Sequence, residues 1–150
     1  MVDVQYVTCI SVGVYAHALS KGKVYELLEV KNDNYRIKGN HQKFVWISKI
    51  HFIYGAVDVP LLESWCFDDE IDECNFIDVS FTFSNGSKRW AIVTTPEKLQ
   101  NHFKKENVSP PGFNTHHLII IRSFNEEDVE FTFRTLDLQG ELEKATLPLT

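Results

Sequence analysis

Apolar and polar residues alternate with a period of two along much of this chain, the pattern of strands with one face buried. Val4, Tyr6 and Thr8 alternate with Asp3, Gln5 and Val7, which predicts a partly buried first strand. Residues 24–30 are apolar-rich with β-branched and aromatic side chains. Lys31-Asn32-Asp33-Asn34 then reads as a turn by composition. Tyr35 and Ile37 alternate with Arg36 and Lys38, and Gly39-Asn40-His41-Gln42 turns again. Phe44-Val45-Trp46-Ile47 makes a third strand, followed by Ile50, Phe52 and Ile53. Strands with turns at this spacing predict a small barrel or meander.

The alternation is clearest further on. Ile77, Val79, Phe81 and Phe83 alternate with Asp78, Ser80, Thr82 and Ser84. Asn85-Gly86 suits a two-residue type I′ turn, and Lys88-Arg89-Trp90-Ala91-Ile92-Val93 is the return strand. With Ser84 opposite Ser87, Phe81 faces Trp90 and Val79 faces Ile92, so large apolar residues meet on one face.

The period then changes. Thr95 is a natural N-cap, and Pro96 suits the first helical position. Leu99 and Phe103, four apart, share a face. This helix is expected to end near Glu106, before Val108-Ser109-Pro110-Pro111-Gly112. His117-Leu118-Ile119-Ile120-Ile121 is a continuous apolar run, which predicts a strand buried on both faces. Residues 125–139 fit two periods. Val129, Phe131 and Phe133 alternate as in a strand, while Val129, Phe133 and Leu136 sit at helical spacing. Ser123 and Glu126 form a capping-box pattern, Glu127 and Asp128 suit a first turn, and Gly140 suits a stop, which favours the helix. The fold class expected is α+β: mostly antiparallel β, with an N-terminal meander and two helices in the C-terminal half. One compact domain is expected, with residues 1–56 and 57–150 as its natural subdivision.

The stretch GKVYELLEVKNDNYRIKGNHQKFVWISKIHF, residues 22–52, resembles the small SH3-like barrels of short bacterial proteins. The resemblance implies a barrel over that stretch. It selects no function, because such barrels host many.

Composition changes the picture mainly through charge. The 150 residues carry a net charge of −6. A general nucleic-acid binder shows a basic footprint, so the bulk charge points away from nucleic acid. Cys9, Cys66 and Cys74 are too few, and odd in number, for a disulfide framework, which suits a reducing compartment. Asp3 stands where a secretory signal wants positive charge, and no apolar run is long enough for a membrane span. A cytoplasmic protein is the expectation.

Charge is concentrated. Residues 56–79 hold Asp58, Glu63, Asp68, Asp69, Glu70, Asp72, Glu73 and Asp78 with no Lys or Arg, a segment charge of −8. The same segment holds Trp65, Phe67 and Phe76. Carboxylates around aromatic anchors could dock a basic partner, the charges speeding encounter and the rings holding the complex. The competing reading is a solvated acidic loop with Trp65 and Phe67 folded into the core. The spacing of a calcium loop is absent. No zinc pattern surrounds Cys66 and Cys74, and no phosphate loop, metalloprotease or hydrolase motif occurs. No metal and no cofactor are expected.

His116 and His117 would point to opposite faces if extended, so a shared metal is disfavoured. Cys9, in a strand context, reads as a buried structural thiol. Lys88 and Arg89 beside Trp90 make a small basic-aromatic spot, with Trp90 accounted for by the hairpin.

Three functions fit these features. The first is a binding protein that neutralises a basic protein partner, such as a toxin domain. In size, acidity and lack of a catalytic signature the chain resembles bacterial immunity proteins. Asp68, Asp69, Glu70, Asp72 and Glu73 would form the surface, with Trp65 and Phe67 as anchors. The second is an SH3-like interaction module or adaptor subunit, its ligand in a groove of Tyr25, Tyr35 and Trp46. The third is an enzyme using His116 or His117 with a carboxylate, which needs a concave pocket. The first is preferred, with no catalytic residues.

Overall fold

The computed structural model describes residues 3–104, 111–112 and 115–149. It has eleven strands and two α-helices among those residues, mostly in antiparallel sheets, and is α+β. The chain forms two compact units. One is Met1–Leu61 with Leu138–Gly140, the other Leu62–Asp137 with Glu141–Thr150.

The first unit contains β1 (Gln5–Cys9), β2 (Val24–Leu27), β3 (Glu29–Lys31), β4 (Asn34–Lys38), β5 (Phe44–Ser48) and β6 (Phe52–Tyr54). β1 lies between β2 and β6, antiparallel to both. β3, β4 and β5 form a second antiparallel sheet. A 3-10 turn, Lys49–His51, leads from β5 into β6. The apolar run at 24–30 is therefore not one strand. It breaks at Leu28, whose N–H bonds to the Arg36 carbonyl, and its halves serve different sheets. The turn between β3 and β4 is tighter than its composition suggested. Lys31 pairs with Asn34, and Asn32 takes a left-handed φ of 55°, a conformation its short polar side chain tolerates.

The core of this unit gathers Val7, Cys9, Val12, Leu19, Tyr25, Leu27, Ile37, Ile47 and Phe52. The first strand thus faces the opposite way from its expected alternation. Val7 and Cys9 point inward, while Val4 and Tyr6 are exposed. Thr8 is buried by another route: its Oγ1 donates to the Gly55 carbonyl at 2.7 Å and accepts the Val57 N–H at 3.0 Å. Cys9 is the buried thiol its context suggested, and burial pushes its pKa up.

The second unit contains β7 (Leu62–Phe67), β8 (Ile77–Phe83), β9 (Lys88–Thr94), α1 (Pro96–Lys104), β10 (Leu118–Ile120), α2 (Glu126–Leu138, its last residue in the first unit) and β11 (Leu147–Pro148). Its sheet runs β10-β9-β8-β7. β10 and β11 share the far edge of β9, β10 parallel along Ile92–Thr94 and β11 antiparallel along Arg89 and Trp90. The strand at 118–120 is therefore an edge strand. Ile119 is buried and Ile120 is exposed, which corrects the expectation of burial on both faces.

Thr95 caps α1 as predicted, its Oγ1 accepting the Lys98 N–H at 3.1 Å. The expected end near Glu106 lies outside the described residues. At 126–138 the helical period prevails. Val129 and Phe133 are fully buried in a core with Ile77, Val79, Phe81, Ala91 and Val93. The cap falls on Asn125, not Ser123: Asn125 Oδ1 accepts the Glu127 N–H at 2.8 Å. Ser123 instead donates to Asp128. Gly140 takes φ +71° beyond the helix end, and the N–H groups of Glu141 and Leu142 both reach the Leu136 carbonyl.

Candidate functional site: an acidic loop beside an open sheet face

β7 and β8 are antiparallel neighbours joined by residues 68–76. Charged residues in such a run stay in water because no core can satisfy them. Asp68, Asp69, Glu70, Asp72 and Glu73 are all exposed. The loop itself is held from below. Asp68 Oδ2 accepts the Ser80 hydroxyl at 2.6 Å, and Asp69 Oδ2 accepts the Asp78 N–H at 2.8 Å. Thr94 Oγ1 donates to the Asn75 carbonyl at 2.7 Å. Lys98 of α1 donates its ammonium to the carbonyls of Ile71 at 2.5 Å and Cys74 at 2.8 Å. This cation ties the loop through its backbone, while the Asp68 and Asp69 carboxylates, though exposed, help to hold it.

Trp65 and Phe67 take the other side of β7. They stand opposite Phe81 and Val79, whose side chains are buried in the core. The Trp65 ring meets Phe133 edge-on at 5.2 Å, and its Nε1 donates to Glu130 at 2.5 Å. Phe67 packs 5.5 Å from Phe124. Both rings are half-buried against the core. Phe124 in turn lies 5.7 Å from the Lys98 ammonium that ties the loop, so Phe67 reaches the loop through Phe124 and Lys98 while both rings stay half-buried.

A different aromatic residue lies on the carboxylate side. Phe81 pairs with Arg89, Ser80 with Trp90, and Val79 with Ala91. This is one residue away from the register read off the turn. The loop has three residues, Ser84-Asn85-Gly86, with the Gly86 N–H bonded to the Phe83 carbonyl and Gly86 at φ +84°. A type I turn followed by a left-handed glycine is the next favoured hairpin after the two-residue form. Shifting by one residue turns every side chain of the return strand over. Ala91 and Val93 face the core, while Trp90 and Ile92 face outward. The small Ala91 shares that core with Phe133, whose ring lies 4.8 Å from Phe81. Arg89 falls on the inner side and spends its guanidinium on Thr146 Oγ1 and the carbonyls of Glu143 and Thr146.

The outer face of the sheet thus brings together Cys66, Asp78, Ser80, Trp90 and Ile92, with Asp68 bonded to Ser80 at its margin. The Trp90 ring meets His117 at 4.5 Å, and His117 Nδ1 lies 3.1 Å from Thr115 Oγ1. The Asp78 carboxyl is held above the ordinary aspartate value, first by desolvation, then by Asp69 and Asp68, with His117 acting the other way. The signal that could have exposed Trp90 was the glycine at the third loop position, which makes a three-residue loop as natural as a two-residue one.

Other candidates separate. His116 is exposed, while His117 is half-buried against Trp90. A hollow of about 260 Å³ lies in this unit, but its walls are Ile121, Arg122, Asp128, Phe131 and Thr132, with no histidine. No cluster of His, Cys, Asp and Glu able to hold a metal occurs among the described residues. In the first unit Tyr25 is buried, with its hydroxyl accepting the Ser20 N–H at 2.8 Å, and Tyr35 packs on Phe52 at 5.9 Å. Trp46 is exposed on the opposite side of its sheet, so these three rings form no common groove. No helix among the described residues is long and apolar enough to cross a membrane. Compared with known proteins, the chain matches no family model, no curated protein and no solved structure.

Proposed function

We propose that this is a small cytoplasmic binding protein, not an enzyme, that neutralises a basic protein partner in the manner of an immunity protein acting on a bacterial toxin. The observation that carries this reading is the acidic loop. Five carboxylates are exposed on a backbone pinned by Lys98, Thr94, Asp68 and Asp69. A pre-ordered anionic surface loses little entropy on binding and steers a cationic partner to it. The anchors in this reading are Trp65 and Phe67, with Trp90, equally half-buried, on the outer sheet face beside Ser80. A nuclease toxin, with its positive substrate cleft, is the partner class that such a surface suits.

The test is capture of the partner from its native cell on the wild-type protein and on D69K/D72K, each eluted with a salt gradient. The wild type is expected to release a basic protein only at high salt, and the charge-reversed variant to release it early. Equal retention by both would remove the acidic surface from the function. W90A is expected to cost about 2 kcal/mol or more of binding free energy if Trp90 is an anchor as well.

We also propose that the first unit is an SH3-like small barrel. Its support is the order of pairing, with β1 between β2 and β6 and a 3-10 turn before β6. That likeness selects no ligand.

A further inference from the structure

The first unit has the opposite charge from the chain as a whole. Met1–Leu61 carries seven Lys and Arg against five Asp and Glu, whereas the net charge of the full chain is −6. The surplus sits in residues 29–49, with Lys31, Arg36, Lys38, Lys43 and Lys49 against Glu29 and Asp33. These residues form the sheet of β3, β4 and β5.

Register places the charges beside two rings. Glu29, Arg36 and Trp46 stand in one row across the sheet, and Lys38 stands opposite Phe44 in the next. Lys31, Asn34 and Ser48 make the third row. Residues two apart on a strand share a face. Phe44 and Trp46 therefore point away from Ile37 and Ile47, which are fully buried. Phe44 is 57% exposed and Trp46 is 42% exposed. The Arg36 guanidinium sits 5.3 Å from the Phe44 ring centre and 3.1 Å from Glu29.

Two large rings exposed over about half their surface on one sheet face, one of them beneath the Arg36 guanidinium and both bordered by cations, mark a binding surface. Its ligand must be anionic and must offer flat apolar faces. A basic peptide is repelled by this charge. An acidic peptide satisfies the cations, but its carboxylates offer the rings no flat face, and only an occasional aromatic or proline within it would meet them. A duplex keeps its base faces in its own stack. A single strand offers phosphates and open base faces together, and aromatic side chains stack any base. Glu29 opposes phosphate, but its pair with Arg36 is solvent-exposed, so exchanging one anion for another costs little.

We propose that the outer face of β3, β4 and β5 binds single-stranded nucleic acid, with bases stacked on Phe44 and Trp46 and phosphates held by Arg36, Lys38 and Lys31. The bulk acidity of the chain does not prevent this, because the cations are segregated in the first unit. The proposal is independent of the acidic loop.

The probe is a fluorescently labelled pyrimidine single strand of about a dozen nucleotides, titrated with the full chain at low salt and read by anisotropy. Binding is expected, with affinity falling as salt rises by a log–log slope that drops by about 0.7 for each of R36Q and K38Q. W46A and F44A are each expected to weaken binding about tenfold or more. Both rings are exposed, so unchanged circular dichroism should accompany the loss. D69K/D72K is expected to bind at least as well as wild type, which separates this surface from the acidic loop. No binding at low salt, equal competition by a duplex of the same length, or W46A binding like wild type would each overturn the proposal. So would a glutamate-rich peptide that displaces the strand and depends as strongly on the two rings, which would make the face a protein-docking surface.

Discussion

Asp78 is ionised at a cost. It lies on the outer sheet face with Asp69 and Asp68 as neighbours, and its pKa is raised by desolvation and then by those two charges. An acid whose pKa rises on folding destabilises the folded state wherever it is ionised. The cost is absent well below the ordinary aspartate pKa and complete at neutral pH. D78N is therefore expected to raise Tm at pH 7 and to leave it unchanged near pH 3, as followed by thermal melts across that range. An equal gain at both pH values would mean that charge is not the cause. The same arrangement suits the proposed role, because a cationic partner relieves the repulsion among Asp68, Asp69 and Asp78 when it docks. Asp128 behaves oppositely. Arg122 and Ser123 hydrogen-bond its carboxylate and hold its pKa down, so its contribution fades as the solution is acidified.

At the scale of elements, α2 separates two readings of one segment. As a strand, Phe131 and Phe133 would share a face. As a helix they do not: Phe133 is fully buried and Phe131 is 75% exposed. F133A is expected to cost about 3–5 kcal/mol of unfolding free energy in urea. F131A is expected to stay within about 0.5 kcal/mol. Similar losses at both positions would contradict the helical packing. The helix was legible because its termini carry side chains that satisfy orphan backbone groups and its buried residues keep the 3.6 period. The hairpin of β8 and β9 was legible as an element, but its register was not. Both sides of β9 carry apolar residues, Trp90 and Ile92 on one and Ala91 and Val93 on the other, so alternation alone could not choose between them. β10 misled for the same reason, since an apolar run looks the same at the edge of a sheet and at its centre.

The molecule as a whole is organised by two hydrophobic cores that share no residue among those described. Val7 belongs to one and Val79 to the other, and both are fully buried. V7A and V79A are each expected to cost about 1–3 kcal/mol. Each loss is read from urea unfolding of the single variant, and a loss below about 0.5 kcal/mol at either position would contradict its burial. Charge follows the same division, with a net positive first unit and the excess of carboxylate in the second. The two proposed binding surfaces accordingly want partners of opposite sign.

Local chemistry was enough to determine the two helices, the Thr95 cap, the Gly140 stop, the burial of Cys9, and the exposure of the carboxylates from Asp68 to Glu73. Each depends on a residue and its near neighbours: a hydroxyl at a helix start, a glycine at positive φ, a charge that cannot leave water. Tertiary structure decided which face each strand presents. It turned Val7 and Cys9 inward in place of Val4 and Tyr6, took Trp65 and Phe67 to the core, and brought Trp90 out beside the acidic loop. The physical reason is that a strand with apolar residues on both sides has two nearly equal ways to face. The choice falls to the element that covers it, and for β8 and β9 that element includes Phe133 of α2, about forty residues beyond the end of β9.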